Sequence, residues 1–411
     1  MLPLLSVRQF FRDLRQQKLR TFMTMGGILW GTLAIVLLFA FGKGIYSAQM
    51  KSQKGLGENI AIVWPGMTTK TWQGLPKGRN INFTEDDVSL MKAKIGDISK
   101  ISPEYSKWNV PLQYGKQVIL QNVVGIWPEF GEMRNIIPDL GGRFIDALDI
   151  VQKRRVVFIG DELKQQLFGS EEAIGKYILI KNVPFRVIGV LKHKEQDSSY
   201  SGRDSRKAFI PASTFQGMYS RRYLNNFVVQ QKESSSMAAV KKEIYSLLGE
   251  KYRFDPSDES ALGIWDVTEG FKFLTTFFWA FRIFLVGIGV ATLITGGIGV
   301  SNIMNVVLEE RTKEIGIKMA LGAKKSMIMM QFIFETLLLT AVGGFLGFIL
   351  GMGIVKTIPL FKVEQYIGIP EVDLLGTGIA MGVLAIVGLA AGFFPARRAA
   401  NLQPVQALKL F

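Results

Sequence analysis

Four places in this sequence have residue types and spacing that chemistry could use, and none of them makes a catalytic set. Gly169 to Lys176 (GSEEAIGK) approximates a phosphate-binding loop, in which backbone amides and a lysine cradle nucleotide phosphates. Five residues separate its glycines where four are required, and Tyr177 stands where a Mg²⁺-binding Ser or Thr belongs. A turn before a strand is the better reading. His193 is the only histidine and cysteine is absent, so the chain has no thiolate, no His cluster for a metal and no supported Ser/His pair. Glu85, Asp86 and Asp87 follow Thr84 at the start of a helical pattern, where acids favour the macrodipole. Glu335 lies inside an apolar run with Gln331 one turn before it. An acid at that depth is costly, and it either contacts an ion or substrate or is satisfied within a helix bundle.

The stretch from Leu308 to Val355 organises the rest. Its first part is amphipathic: Leu308, Ile315, Met319 and Ala323 share one face at helical spacing, and Glu309/Lys313 and Glu314/Lys318 form i,i+4 pairs in the favourable order. Its second part is apolar, with Gly343, Gly347 and Gly351 four residues apart, a stripe that lets another helix approach closely where hydrophobicity cannot drive association. A surface-lying segment followed by a packed membrane helix has this pattern.

The run Glu310 to Ala323, ERTKEIGIKMALGA, resembles the signature of the MacB/FtsX-like permeases, membrane subunits of one class of ABC transporter. Within the external region, Leu167-Phe168-Gly169, Ile174-Gly175-Lys176, Val183 to Val190 and Phe209-Ile210-Pro211 resemble the MacB-like extracytoplasmic core domain. The resemblance covers nearly the whole chain. It implies a cytoplasmic coupling segment touched by an ATPase subunit, with Glu309, Glu310, Arg311, Lys313, Glu314, Ile315, Gly316, Met319, Leu321 and Gly322 as the contact residues. Ile315, Met319 and Leu321 are expected to give apolar contacts to an ATPase groove or to the membrane face. Gly316 and Gly322 are expected to permit a turn or close approach.

Composition agrees with a membrane protein: 411 residues, 48% hydrophobic, net charge +15. That charge is not a nucleic-acid footprint. Between Lys43 and Lys272 there are 33 Lys and Arg against 26 Asp and Glu, an ordinary mixed surface. The remaining cations flank apolar runs: Arg8, Arg12, Arg15, Lys18 and Arg20; Arg311, Lys313, Lys318, Lys324 and Lys325; Arg397, Arg398 and Lys409. Only Lys356 and Lys362 occupy the short loop between the last two runs. By the positive-inside rule both termini are cytoplasmic.

The expected fold is an α-helical membrane protein with four transmembrane helices and a large α+β extracytoplasmic domain. Residues 1–20 form an inner segment, 21–42 the first span, 43–272 the external domain, 273–307 a stalk and second span, and 308–326 the coupling segment. Residues 327–355 form the third span, 356–373 a short outer loop, 374–394 a fourth span broken by Pro395, and 395–411 an inner tail. No apolar run in 43–272 is long enough to span. Instead strand and helix patterns recur at its two ends: Asn59 to Trp64, Thr84 to Ile95 and a mixed strand and loop at Ile101 to Val110, then Asn226 to Gln231, Ser234 to Leu248 and a short strand at Tyr252 to Asp255. These βαβ-like halves flank an insertion, roughly Leu112 to Tyr223, with five short strand candidates. The resemblance implies the same nesting, a split porter-like part enclosing a small α/β part.

The expected function is that of a permease subunit without a fused ATPase domain, coupling ATP hydrolysis on a separate cytoplasmic chain to movement of the external domain. The outcome is export or extraction of a drug, peptide, lipid or lipoprotein; the alternative is transmembrane control of a cell-wall hydrolase. No enzyme activity and no cofactor are expected on this chain, with ATP and Mg on the partner. Further partners implied are a second permease protomer, identical or not, and either a periplasmic adaptor with an outer-membrane channel or a lipoprotein carrier.

Overall fold

The computed structural model describes residues 18–196, 199–361, 368–372 and 374–403. Arg8, Arg12, Arg15, Lys362 and Lys409, used above for topology, lie outside the described residues. The elements run α1 (Lys18–Leu56), β1 (Ile60–Pro65), α2 (Glu85–Lys94), β2 (Ile98–Tyr114), β3 (Gln117–Ile126), α3 (Glu129–Met133), α4 (Ala147–Val151), β4 (Val156–Ile159), α5 (Asp161–Phe168), β5 (Tyr177–Ile180), β6 (Val183–Val190), a 3₁₀ turn (Asp204–Arg206) and β7 (Ala208–Pro211). They continue with α6 (Ala212–Tyr219), β8 (Asn226–Gln231), α7 (Met237–Tyr252), β9 (Leu262–Asp266), α8 (Val267–Glu310), α9 (Thr312–Ala320), α10 (Lys325–Thr357) and α11 (Leu374–Ala400). Contacts divide the chain into Gln49–Thr275 and a second unit built from the apolar helices on either side of it.

In Gln49–Thr275, β1–α2–β2 and β8–α7–β9 are two split βαβ halves forming an antiparallel sheet of order β2-β8-β1-β9. Side chains alternate strictly. Ala61, Val63, Phe227 and Val229 join a core with Val88 and Met91 of α2 and Val240 and Ile244 of α7. Ile60, Ile62 and Val228 face the other way, into a second core with Leu56 and Val267. Thr84 and Asp87 form a capping box at α2, so that acid cluster starts a helix.

The inserted strands close a ring, with β2 pairing β3, β3 pairing β7, then β4, β6 and β5 in turn, and β5 returning to β2. One strand therefore belongs to both parts. Ile101 to Val110, expected as mixed strand and loop, lies inside this continuous 17-residue strand. Its pairing with β3 shifts register at a bulge between Lys107 and Val110, where Asn109 has φ 56°, and along its other edge the partner changes from β8 to β5. A second correction concerns Tyr252 to Asp255. α7 runs on to Tyr252 and Arg253 closes it in the left-handed conformation, so the edge strand is Leu262–Asp266 instead.

Among the described residues, four helices are long and apolar enough to cross a membrane. α1 extends fourteen residues beyond the expected span and α8 begins six before the expected stalk, so the external unit starts and ends inside helices. Pro395 does not break the last helix: α11 continues through it to Ala400. A proline inside a helix costs roughly 3 kcal/mol. Burial of Ala396, Ala399 and Ala400 just beyond it favours continuation.

The α10 glycine stripe faces α1. A Cβ at Gly343 would lie 3.3 Å from Ile28, one at Gly347 would lie 2.5 Å from the Leu29 carbonyl oxygen, and one at Gly351 would lie 2.8 Å from Val36. On another face of α10, Thr336 and Thr340 meet Gly392 and Gly388 of α11. Both hydroxyls donate to carbonyls one turn back, which satisfies them in an apolar setting.

Candidate coupling site

The segment between the second and third apolar helices is not one amphipathic helix. α8 ends at Glu310, Arg311 leaves helical geometry (φ −97°, ψ 8°), and α9 begins at Thr312, whose hydroxyl donates to the Leu308 carbonyl at 2.9 Å. Glu309 and Lys313, expected as a helical pair, thus sit on different helices; Glu314 and Lys318 share α9. The helix stops at Gly322, with φ 94°. The Ala323 amide donates to the Lys318 carbonyl and the Gly322 amide to Met319, the bond pattern of a Schellman cap. Gly322 is required here by its backbone conformation, whereas Gly316 is simply buried in α9.

The amphipathic face points inward. Ile315 is 3% exposed and packs with Leu308, Ile328, Phe332 and Val300, with Met319 and Ala323 against the same cluster. The apolar contact expected of Ile315 with an ATPase groove or the membrane face is instead made inside this chain. The reason is the order of polarity around α9: its most apolar stripe is also the one that joins the core formed by the long apolar helices. The outward face carries Glu309, Glu310, Lys313, Glu314, Ile317 and Leu321. Leu321 is 84% exposed and Ile317 45%, two large apolar side chains amid charges.

Arg311 reaches back to α10. Its Nη1 lies 3.1 and 3.3 Å from the two oxygens of Glu335, which is 4% exposed, and Gln331 Nε2 donates to the same carboxylate at 3.1 Å. The intramembrane acid is thus satisfied inside the bundle, and the segment's break point is tied to the third helix. Sequence reading found Gln331 beside Glu335 from their i,i+4 spacing. It missed Arg311, 24 positions away and on another helix.

The other candidates have structural roles. Lys176 pairs with Glu171 in a turn where Gly175 has φ 84°. His193 Nδ1 lies 2.7 Å from Asp161 on the surface. Asp87 accepts from the Thr84 amide and from the Tyr252 hydroxyl at 2.7 Å. Among the described residues no group of three His, Asp or Glu is placed to hold a metal.

Buried charge is concentrated in the external unit. Asp204, fully buried, receives two bonds from Arg134 Nη2 (2.9 and 3.0 Å), one from Lys194 (2.9 Å) and one from Lys207 (3.1 Å). Burial works against its charge, but Arg134, Lys194 and Lys207 outweigh that and hold its carboxyl well below the usual range. Desolvation lowers the Lys194 ammonium in turn, against the pull of Asp204.

Among the described residues, four helices long and apolar enough to cross a membrane, a separate nested α/β unit and a charged elbow between the second and third of those helices define a multi-pass permease. The sequence matches the profile of the MacB-like periplasmic core domain over residues 21–247 and that of the FtsX-like permease C-terminal region over residues 270–404. The chain belongs to the MacB/FtsX-like permease family of ABC transporters, inner-membrane proteins with a periplasmic domain. It is 31% identical to the macrolide export ATP-binding/permease protein MacB of Wolinella succinogenes, over 98% of this chain and 60% of that one. With the protein of the same name from Bdellovibrio bacteriovorus it shares 29% identity, over 98% of this chain and 61% of that one. The chain thus spans about three fifths of these relatives' length. The periplasmic region of MacB from Actinobacillus actinomycetemcomitans aligns with a TM-score of 0.43 at 19% identity, covering 55% of this chain and 97% of that one.

Proposed function

We propose that this chain is the membrane subunit through which an ATP-hydrolysing partner moves an extracytoplasmic domain, exporting or extracting a hydrophobic or amphipathic substrate. The observation that carries the reading is the elbow at Arg311. It joins the end of one long helix to the start of another and is latched to the second by Glu335. Force applied at α9 enters both helices together. ATP and Mg²⁺ belong to the partner, and a second permease protomer completes the assembly. Relatives named for macrolide export are consistent with an amphipathic cargo.

The docking face is Ile317 and Leu321 with the charges around them. An apolar anchor supplies affinity and rim charges supply register. Replacing both with Asp removes the anchor without touching the core. Truncating such an anchor costs ~2 kcal/mol or more, roughly a thirtyfold loss of affinity. We expect Ile317→Asp/Leu321→Asp to lose its ATPase on co-purification while its thermal stability stays at the wild-type value. Wild-type stoichiometry would remove these residues from the interface.

A further inference from the structure

The external end of α1 is seated with unusual closeness. Its last turn and exit read Gly55-Leu56-Gly57, and Leu56 is fully buried in the second core. A side chain at Gly55 would overlap the Glu195 carbonyl oxygen, and one at Gly57, where φ is 122°, would overlap the Met133 carbonyl oxygen. Backbone from two separate stretches of the inserted part therefore lies against the helix end at a distance only glycine permits.

The carbonyls left open at that helix end are capped by the same two stretches. Asn135 Nδ2 donates to the Lys54 carbonyl at 3.1 Å, and Lys194 Nζ donates to the Gly55 carbonyl at 2.9 Å. An ammonium has three protons, and Lys194 places the other two on the Arg134 carbonyl (2.8 Å) and on Asp204 (2.9 Å). A cation at a helix C-terminus also opposes the negative end of the dipole. Lys194 thus joins α1 to the buried Arg134–Asp204–Lys207 cluster of the strand ring, a route separate from the covalent one through β1.

We infer that Lys194 is a positioning residue that fixes the strand ring to the end of α1, so that displacement of this helix moves the ring and not only the β2-β8-β1-β9 sheet. The inference rests on the function proposed above. Removing Lys194 leaves Asp204 still bonded to Arg134 and Lys207, so Lys194→Met leaves no buried acid without a cation.

The native chain has no cysteine, which makes labelling direct. Spin labels on Lys116→Cys, at the β2–β3 turn of the ring, and Lys242→Cys, on α7, report the ring against the sheet. Distances are measured in the full chain with its ATPase in nanodiscs, in nucleotide-free and vanadate-trapped states. The expected result is a nucleotide-dependent shift in the otherwise native chain that is lost in Lys194→Met, while the ATPase rate stays within about twofold and amide exchange in β1 and β8 is unchanged. A shift retained in a folded Lys194→Met chain overturns the inference. Should Lys194→Met not fold, Gly55→Ala presses on the same contact from the helix side, and a full shift there overturns it equally. No shift even with Lys194 present refutes the coupling function beneath it, a result distinguishable from loss in the variant alone.

Discussion

Arg311→Ala should be the most damaging single change in the membrane unit. It leaves Glu335, 4% exposed and bonded otherwise to Gln331, as an uncompensated carboxylate among apolar helices. Breaking a buried pair from one side typically costs about 3–5 kcal/mol, far more than the pair contributes over neutral residues of similar size. Function should therefore be lost and the detergent-solubilised chain should melt well below the parent. Arg311→Gln/Glu335→Gln, with no charge left to compensate, should recover most of that stability but not the latch. Melting by tryptophan fluorescence separates the cases. If Arg311→Ala melts like the parent, Glu335 has another satisfactory environment and the latch is not structural.

Gly347→Leu should come next. The Cβ alone would stand 2.5 Å from the Leu29 carbonyl oxygen of α1, which is backbone and cannot rotate away. Overpacking of this kind costs about 1–3 kcal/mol for small additions, and a leucine adds far more than one methyl. We expect loss of folded protein in the membrane. Gly353→Leu on the same helix is the control, since nothing lies within 4 Å of its Cβ. Equal accumulation of the two variants would mean that α1 and α10 do not meet through this stripe.

Much of this architecture is legible in the sequence because periodicity carries it. Long apolar runs mark the four helices, and the recurrence of strand and helix at both ends of the external domain marks the split halves. β8 is read residue for residue from its β-branched and amide pattern. What escapes is decided at a distance. The middle of β2 reads as mixed strand and loop because Asn109 resets the alternation at the bulge, and Pro103 and Pro111 argue against a strand that tertiary pairing nevertheless sustains. β9 was missed because no turn residue separates it from α8. In the candidate site, the amphipathic face of 308–323 is legible, but which side meets the bundle is not. An apolar stripe reads the same whether it covers its own chain, a partner or the membrane face, so the sequence alone does not turn Ile315 and Met319 inward. Exposure of Leu321 is visible only once Gly322 has turned the chain. The Arg311–Glu335 contact depends on the same turn.

Whether α9 receives an ATP-hydrolysing partner is measured most directly by placing a photocrosslinking amino acid at Leu321 in the full-length chain in living cells. A second chain carries it at Lys116. After irradiation, the account predicts a single major adduct from Leu321 to a cytoplasmic protein containing a phosphate-binding loop, and no such adduct from Lys116. An adduct from Leu321 to a periplasmic protein, or to lipid alone, would contradict it.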